Sequence, residues 1–339
     1  MTADVVPLPS SNSGKQPTLE PMLSLTANGM NSVNTVILER MQSEIPLIPR
    51  LAGHLISGGG KRLRPMLTLA GAALVGYEGT RHYKLAAAVE FIHTATLLHD
   101  DVVDESEKRR GRPTANLLWD NKSSVLVGDY LFARSFQLMT ETNIIRVLRI
   151  LSDAAATIAE GEVLQMTAAQ DLRTSEEIYL QVVRGKTAAL FSAATEVGGV
   201  IADMDEAQIK ALFDYGDALG IAFQIVDDLL DYWGSDATGK NVGDDFRERK
   251  LTLPVIKAVA LGDDEEREFW KRTIEKGRQE EGDLEQALAL LAKHETLEAT
   301  RAEATAWAEK AKSAMAALPE SDMREMLTDV ADYVVARIR

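Results

Sequence analysis

Two short stretches decide the interpretation of this sequence: residues 97–104 read LLHDDVVD and residues 224–231 read QIVDDLLD. Each places two adjacent aspartates, two apolar residues and a third aspartate among helix-forming residues. On a helix, residues four positions apart lie on one face, so the first and third aspartates of each stretch point the same way. Stacked carboxylates repel each other, and two such clusters in one chain predict the facing walls of a cation site.

The aspartates that share a face are Asp100 with Asp104, in the first aspartate run, and Asp227 with Asp231, in the second. Sites built from carboxylates suit hard cations, and Mg²⁺ is usually held by few carboxylates together with substrate phosphates. The alternative is that each run is a solvated helix face, which leaves the match between the two runs unexplained. We therefore expect Mg²⁺ and a phosphorylated substrate.

Two basic stretches carry groups that would hold such phosphates. Residues 57–65 read SGGGKRLRP, where three glycines let the backbone approach an anion and three cations follow. Lysine offers a point charge, and arginine offers a planar fork that matches phosphate oxygens. The second stretch, KRRGRP at residues 108–113, follows the first aspartate run. A phosphate bound through a metal explains why acidic and basic residues occur side by side here. A plain ion-pair network would not need the second aspartate run.

Other kinds of site are excluded by the sequence. The glycine–lysine stretches at residues 55–62, 180–187 and 234–241 each lack a residue that a P-loop requires. The chain has no cysteine, so it has no disulfide or thiolate site, and no HxxxH pattern marks a zinc site. A formal charge of -15 argues against nucleic acid as a partner, because its phosphates require a basic protein face.

The helix-forming pattern extends over almost the whole chain, without strand-like alternation. We expect one all-α domain over residues 21–339, preceded by a disordered tail at residues 1–20. The C-terminal third carries no motif and is expected to pack around the outside. No signal peptide or transmembrane stretch is visible, which predicts a cytoplasmic protein with at most peripheral membrane contact.

Five motifs carry a resemblance to a known family. In chain order they are GGGKRLRP, FIHTATLLHDDVVDESEKRRG, RGKTAAL, FQIVDDLLDYWG and ATGK. In this order and spacing they resemble the trans-isoprenyl diphosphate synthases, from about residue 25 to the C-terminus. The resemblance implies the isoprenoid synthase fold, a single-domain helical bundle around a deep central cavity. It further implies a homodimer and Mg²⁺ as cofactor, with about three ions per active site. It also implies head-to-tail condensation of isopentenyl diphosphate with an allylic diphosphate such as farnesyl diphosphate.

The resemblance implies roles for individual residues, each taken from the matching motif position. The family's isopentenyl diphosphate site corresponds to Lys61, Arg64, His93 and Arg110, and its metal ligands to Asp100, Asp104 and Asp227. Its allylic diphosphate site corresponds to Arg109, Gln224 and the catalytic lysines Lys186 and Lys240, with Thr187 following Lys186 and Lys250 matching a lysine near the metals. Positions that usually support the ligands are those of Asp101, Asp228 and Asp231.

The residues before the first aspartate run bear on product length. Inward from Asp100, the same helix face carries Thr96, Ile92 and Val89, with Ala95 beside Thr96. In short-chain relatives, bulky aromatic residues stand at the positions of Ala95 and Thr96. Small residues here either serve close helix packing or let a growing chain pass into an apolar tunnel. The resemblance to long-chain members implies a product of about eight to ten isoprene units for ubiquinone biosynthesis.

Three alternatives stay open on the sequence alone. A geranylgeranyl or farnesyl diphosphate synthase would share the diphosphate motifs and differ in product length. A terpene cyclase would share DDxxD but lack the GGGKRLRP block, and it would not require isopentenyl diphosphate. An inactive regulatory subunit commonly loses one aspartate run, and this chain has both.

Overall fold

The computed structural model describes residues 17–56, 58, 60–109, 111–233 and 242–338. Over these ranges the chain is helical almost throughout, which confirms the expected all-α fold. The α-helices in chain order are α1 Glu20–Arg40, α2 Leu47–Ile56, α3 Leu63–Ala73, α4 Arg81–Val103, α5 Ala115–Leu118, α6 Asn121–Thr140, α7 Ile145–Ala168, α8 Glu176–Val183, α9 Ala189–Ile201, α10 Glu206–Trp233, α11 Asp244–Arg247, α12 Leu253–Leu261, α13 Asp264–Trp270, α14 Asp283–Lys293, α15 Thr296–Ala314 and α16 Asp322–Ala336. Other helical segments are the π-helices Arg184–Ala188 and Lys271–Glu275 and the 3₁₀ turn Met315–Ala317.

Helix α10 lies at the centre of the main core. It has 28 residues and packs against α9, α15 and α16. Its inward positions are buried apolar residues such as Leu219, Ile225 and Leu229, and burial of each is worth about 2 kcal/mol. Helix α4 packs against α3, α6 and α9. Both aspartate runs therefore belong to helices that are anchored in one core.

Helices α3 and α9 cross at short distance because Gly71 and Gly198 meet at the crossing. A Cβ atom on Gly198 would lie 2.6 Å from the carbonyl oxygen of Thr68, so a larger residue would push the helices apart. The close crossing brings Arg64 at the start of α3 against α9, with its guanidinium carbon 4.4 Å from the ring centroid of Phe191. The main core thus positions one of the predicted phosphate-binding arginines.

A second apolar cluster surrounds α11 to α14. It includes Tyr232 from the last turn of α10, Phe246 from α11, and Phe269 and Trp270 from α13. Tyr232 is the residue next to the last aspartate of the second run. The cluster therefore fixes the end of α10 against the C-terminal helices.

The secondary structure departs from expectation at one point. Lys108–Arg109 (β1) and Arg112–Pro113 (β2) form an antiparallel pairing shortly after α4. Gly111 between them has a φ of +74°, in the left-handed region that glycine adopts without strain. Strands of two residues are too short to show alternation in a sequence, since typical strands have about five or six residues.

The predicted N-terminal tail is mostly outside the described residues. Helix α1 begins at Glu20, and residues 1–16 lie outside the description, so their disorder stays a prediction. Among the residues that are described, none belongs to a helix with the length and apolar character that a membrane span requires.

Candidate active site

The two aspartate runs come together at one cavity. A cavity of about 320 Å³, which we call the basic cavity, is lined by residues that include Lys61, Arg64, His93, Asp101, Asp227 and Arg337. The first run lies at the C-terminal end of α4, and the second lies in the last two turns of α10. Each run thus contributes one residue to this cavity, Asp101 from the first and Asp227 from the second, and a shared cation site between the runs stays a prediction.

Asp100 lies where negative charge is poorly compensated. Burial raises the pKa of its carboxyl to about 7, and the neighbouring carboxylates of Glu162 and Asp104 raise it further, while Lys186 and Arg109 act in the opposite direction. Glu162 comes from α7 and was not predicted from the sequence. A cation placed beside Asp100 would relieve this repulsion.

Asp101 has a different environment from its neighbours in the first run. Its side chain is fully buried, and Arg109 contacts its Oδ1 through Nη2 at 2.7 Å and through Nε at 2.9 Å. Arg109 lies on β1, so the short strand pairing returns this arginine to the end of α4. The predicted diphosphate ligand Arg109 is thus held in place by an aspartate that points into the protein.

In the second run, Asp228 is the buried member. Its Oδ2 accepts a hydrogen bond from the hydroxyl of Tyr179 at 2.6 Å, and its Oδ1 accepts one from Nε2 of Gln224 at 2.8 Å. Burial raises the pKa of Asp228 to about 7, against the effect of these two hydrogen bonds. The hydroxyl of Thr187 donates to Oε1 of Gln224 at 2.8 Å, so one chain of hydrogen bonds orients three of the predicted residues.

The outer aspartates of the second run have separate partners. Nη2 of Arg337 donates to Oδ1 of Asp227 at 2.6 Å. Asp231 accepts hydrogen bonds from the backbone N–H groups of Asp244 at 3.1 Å and Asp245 at 3.0 Å, at the start of α11. Asp227 therefore faces the basic cavity, while Asp231 acts as an anchor for α11.

Lys186 is positioned by a π-helical segment between α8 and α9. Gly161 on α7 allows this segment to approach closely, because a Cβ there would lie 2.7 Å from the backbone nitrogen of Lys186. The ammonium group of Lys186 contacts Glu162 at 2.9 Å. π-Helical segments frequently occur at functional sites, and this one places the lysine beside Asp100.

A second cavity of about 170 Å³ lies beside the buried part of the second run. Its lining includes Lys186, Gln224, Asp228, Asp245 and Lys250. Burial acts to lower the pKa of Lys250, but the contact with Glu248 and the charges of Asp245 and Asp104 raise it. The influence of Asp104 on Lys250 shows that the end of the first run lies near the loop after α11. This second cavity therefore brings the predicted residues Lys186, Gln224 and Lys250 together beside the second aspartate run.

Three of the four predicted isopentenyl diphosphate residues, Lys61, Arg64 and His93, line the basic cavity. Lys61 contacts the hydroxyl of Tyr333 and lies 4.7 Å from its ring centroid. Nη1 of Arg64 lies 3.4 Å from Nε2 of His93. The structure thus brings residues from α3, α4, α16 and the loop before α3 to one basic surface, as a diphosphate site requires.

The donor set fits Mg²⁺. Among the described residues, no group of three or more His, Cys, Asp or Glu side chains converges closely enough to hold an ion. Mg²⁺ is usually bound through one or two carboxylates, with phosphates and water as its other ligands. Asp100, Asp104 and Asp227 would therefore suit a metal that binds together with a diphosphate, and a cation there would offset the repulsion between Asp100 and the neighbouring carboxylates of Glu162 and Asp104.

The residues predicted to set product length lie on the buried face of α4. Val89, Ile92 and Ala95 are fully buried in the main core. The hydroxyl of Thr96 donates to the carbonyl oxygen of His93 at 2.9 Å. The path inward from Asp100 thus consists of small and aliphatic side chains, and the role of these residues stays a prediction.

Two predicted residues, Arg110 and Lys240, lie outside the described residues. Three functional candidates were missed by the sequence interpretation: Glu162, Asp245 and Arg337. Burial and the neighbouring Asp228 raise the pKa of Asp245 well above its usual value. Its place in the GDD triplet at residues 243–245 was a weak signal, whereas nothing in the sequence places Arg337 beside a residue 110 positions away.

Comparisons with known proteins identify the family. Residues 45–291 match the polyprenyl synthetase family. The chain is 46% identical over 322 residues to octaprenyl diphosphate synthase of Escherichia coli, covering 95% of this chain and 99% of the relative. It is 41% identical over 320 residues to the geranyl-diphosphate-specific all-trans-nonaprenyl-diphosphate synthase of Rhodobacter capsulatus, covering 94% of this chain and 98% of the relative.

Solved structures show the same architecture. A decaprenyl diphosphate synthase from Rhodobacter capsulatus superposes with a TM-score of 0.92 at 68% identity, over 95% of this chain and all of that one. A polyprenyl synthase from Caulobacter crescentus CB15, complexed with calcium and isoprenyl diphosphate, superposes with a TM-score of 0.92 at 50% identity, over 96% and 100%. The alternatives of a terpene cyclase and an inactive subunit are thereby set aside. The chain belongs to the polyprenyl synthetase family and is a prenyltransferase of the all-α isoprenoid synthase fold.

Proposed function

We propose that this prenyltransferase is a Mg²⁺-dependent, long-chain trans-polyprenyl diphosphate synthase. It condenses isopentenyl diphosphate head-to-tail with an allylic diphosphate such as farnesyl diphosphate. The observation that carries the proposal is the basic cavity, in which Lys61, Arg64 and His93 share a lining with Asp227 of the second aspartate run. One cavity then brings a phosphate-binding surface next to a metal-binding one, as a reaction between two diphosphates requires.

The allylic diphosphate is assigned to the side of the aspartate runs. Lys186, Arg109 and Gln224 are held near the runs by Glu162, Asp101 and Asp228, respectively. Bound Mg²⁺ supplies Lewis-acid stabilisation to the departing diphosphate. The Caulobacter crescentus relative was solved in complex with calcium and isoprenyl diphosphate, which supports binding of a divalent cation and a diphosphate by this chain.

The second substrate is assigned to the basic cavity. Lys61, Arg64 and His93 hold the diphosphate of isopentenyl diphosphate so that its double bond faces the allylic carbon. Phe191 and Phe223 also line this cavity, and their ring centroids are 5.4 Å apart. Their apolar surfaces help to exclude water, which would otherwise quench an allylic cation.

The proposed product has eight to ten isoprene units, as the names octaprenyl, nonaprenyl and decaprenyl of the similar synthases suggest. Ala95 and Thr96 present small side chains on α4 before the first run, so the chain can grow past them. The shorter-chain alternative rests on relatives named geranylgeranyl diphosphate synthase, at 36% identity. Use of the product for ubiquinone, like a cytoplasmic location, stays a prediction.

Product sizing tests this proposal. The protein is incubated with Mg²⁺, farnesyl diphosphate and labelled isopentenyl diphosphate, and the products are separated by length. We expect products of eight to ten units, as made by the named relatives, and no product in EDTA. A product that stops at geranylgeranyl diphosphate would contradict the long-chain proposal, and an unchanged yield in EDTA would contradict the metal site.

Two substitutions test the tunnel. Ala95→Phe and Thr96→Phe should shorten the product, because a ring there blocks a tunnel roughly one turn, about 5.4 Å, below the metals. Ala306→Phe is the matched control, because Ala306 is exposed on α15, and its product should equal that of wild type. If neither α4 substitution changes the length distribution, the tunnel follows another path.

We propose a homodimer, in line with the family. Helices α5 to α7 expose large apolar side chains, which is costly unless a partner covers them. These are Leu117, Leu118, Val125, Leu126, Val163 and Met166. Light scattering coupled to size exclusion should give twice the mass of the chain, and Leu126→Glu with Met166→Glu should shift it toward the monomer. A monomeric wild type would contradict the proposal.

A further inference from the structure

Arg337 joins the C-terminal end of the chain to the second aspartate run. It follows the last residue of α16, and its Nη2 donates to Oδ1 of Asp227 at 2.6 Å. The guanidinium carbon lies 4.9 Å from the ring centroid of Phe223, which is four residues before Asp227 on α10. The side chain is 19% exposed, so the ion pair is largely shielded from solvent.

The contact with Asp227 leaves part of the guanidinium unsatisfied. Nη1 of Arg337 is buried, and no described residue accepts a hydrogen bond from it. A buried donor of a charged group without an acceptor is costly. Arg337 lines the basic cavity together with Lys61 and Arg64. The missing acceptor is therefore best explained as an anion that enters this cavity.

The last turns of α16 present a second residue to the same cavity region. Tyr333 lies four positions before Arg337, and its hydroxyl and ring both contact Lys61. Residues four positions apart share a helix face. The end of α16 is thus aimed at the diphosphate-binding residues of the cavity, although nothing in its sequence indicates a phosphate motif.

Asp227 cannot serve Arg337 and a metal ion equally well. A divalent cation at Asp227 repels the guanidinium, and it withdraws the charge that the guanidinium pairs with. If a metal took this oxygen of Asp227, the guanidinium would need another anion, and a diphosphate in the basic cavity that Arg337 lines would supply one. A diphosphate in that cavity would take up both Nη1 and Nη2 in the bidentate geometry that arginine favours.

We propose that Arg337 is a binding residue for the diphosphate of isopentenyl diphosphate that is held by Asp227 until a metal displaces it. Metal binding at the second aspartate run and diphosphate binding in the basic cavity are then coupled through one side chain. The inference rests on the proposed function, because it uses the two sites assigned there. Coupling of this kind is reciprocal, so the substrate diphosphate should also tighten the metal.

Calorimetric titration of isopentenyl diphosphate tests the coupling in the full-length chain. Isopentenyl diphosphate is titrated without an allylic substrate, so that no condensation takes place, and each protein is titrated in EDTA and in Mg²⁺. In wild type, Mg²⁺ should lower the Kd by about five-fold or more, the lower end of typical coupling factors. Arg337→Gln should bind weakly in both media and lose this gain, whereas Arg337→Lys, which keeps the charge, should retain part of it.

Arg324→Gln is the matched control. It removes the same charge from the same helix, about 20 Å away along α16 by the helical rise, where Arg324 donates to the carbonyl oxygen of Leu318. This variant should show the wild-type gain with Mg²⁺. If Arg337→Gln keeps the full gain, or if the control loses it too, the coupling through Arg337 is wrong.

Manganese binding gives a readout that does not depend on turnover. Electron paramagnetic resonance of free Mn²⁺ should show tighter binding to Arg337→Gln than to wild type when no substrate is present, because the competitor for Asp227 is gone. Weaker or equal Mn²⁺ binding by this variant would contradict the proposal that Arg337 and a metal compete for Asp227. If wild type binds neither Mn²⁺ nor isopentenyl diphosphate, the assigned sites themselves are wrong, and that outcome is distinct from a failure of Arg337 alone.

Discussion

The two aspartate runs are nearly identical in sequence but differ in how the protein uses them. In each run the middle aspartate, Asp101 or Asp228, is buried. Asp101 pairs with an arginine, whereas Asp228 accepts hydrogen bonds from Tyr179 and Gln224. The middle position therefore supports the site in both runs, by an ion pair in one and by neutral donors in the other.

The third aspartate separates the runs more sharply. Asp104 ends α4 and is exposed, so it is available as a ligand. Asp231 is occupied by the backbone N–H groups of Asp244 and Asp245. The same residue type at the same motif position is thus exposed in one run and holds a helix start in the other, so we predict a metal ligand only at Asp104.

The largest effect is expected at the first aspartate of each run. Asp100→Ala and Asp227→Ala should each lower kcat by about 10³-fold or more, because a metal acting on the leaving group loses a ligand. The fold should persist, since removal of one clustered charge relieves repulsion around Asp100. Asp153→Ala, at an exposed position of α7, is the control. If steady-state kinetics showed a wild-type kcat for Asp100→Ala or for Asp227→Ala, the prediction that both residues are metal ligands would be wrong.

The next largest effect is expected in the basic cavity. Arg64→Ala should raise KM for isopentenyl diphosphate by about 30- to 150-fold, the equivalent of about 2–3 kcal/mol for a lost charge-assisted contact. KM for the allylic substrate should change far less. Arg50→Ala provides the comparison, because Arg50 is exposed on α2. Equal changes in both KM values would show that the two diphosphate sites have been assigned the wrong way round.

The middle aspartates should differ in stability rather than in chemistry. Asp101→Ala leaves Arg109 without its partner, and the free energy of unfolding should fall by about 2–3 kcal/mol, less than for a fully buried pair because Arg109 is partly exposed. Asp228→Ala removes acceptors for two neutral donors and should cost about 1–2 kcal/mol. Urea denaturation measures both values, and a larger loss for Asp228→Ala would reverse this part of the comparison.

The smallest effect should appear at Asp231. Asp231→Ala removes the acceptor at the start of α11 and should lower the free energy of unfolding by about 1 kcal/mol, as for other lost helix caps. Asp104→Ala should leave stability unchanged and reduce kcat strongly. The contrast between these two variants, measured by denaturation and by turnover, is the sharpest test of the different roles of the third aspartates. Similar kinetic losses in both would mean that Asp231 also binds metal.

The helices that carry the runs could be predicted because their apolar periodicity and motif spacing are local. The pairing of Asp101 with Arg109 is also nearly local, since only eight positions separate them. The contact between Asp227 and Arg337 spans 110 positions and depends on how α16 packs on α10. Glu162 reaches Lys186 only because Gly161 lets α7 approach the π-helical segment. Such long-range packing has no signature in a single sequence.

The central claim is that the two aspartate runs hold one metal–diphosphate site between them. Crystals grown with Mn²⁺ and an unreactive thiolo analogue of farnesyl diphosphate test it directly, because anomalous scattering locates the metal. The account predicts Mn²⁺ peaks within bonding distance of carboxylate oxygens, on Asp100 and Asp104 at one wall and on Asp227 at the other, with the diphosphate between them. Peaks at only one run, or a diphosphate bound away from both runs, would contradict the account.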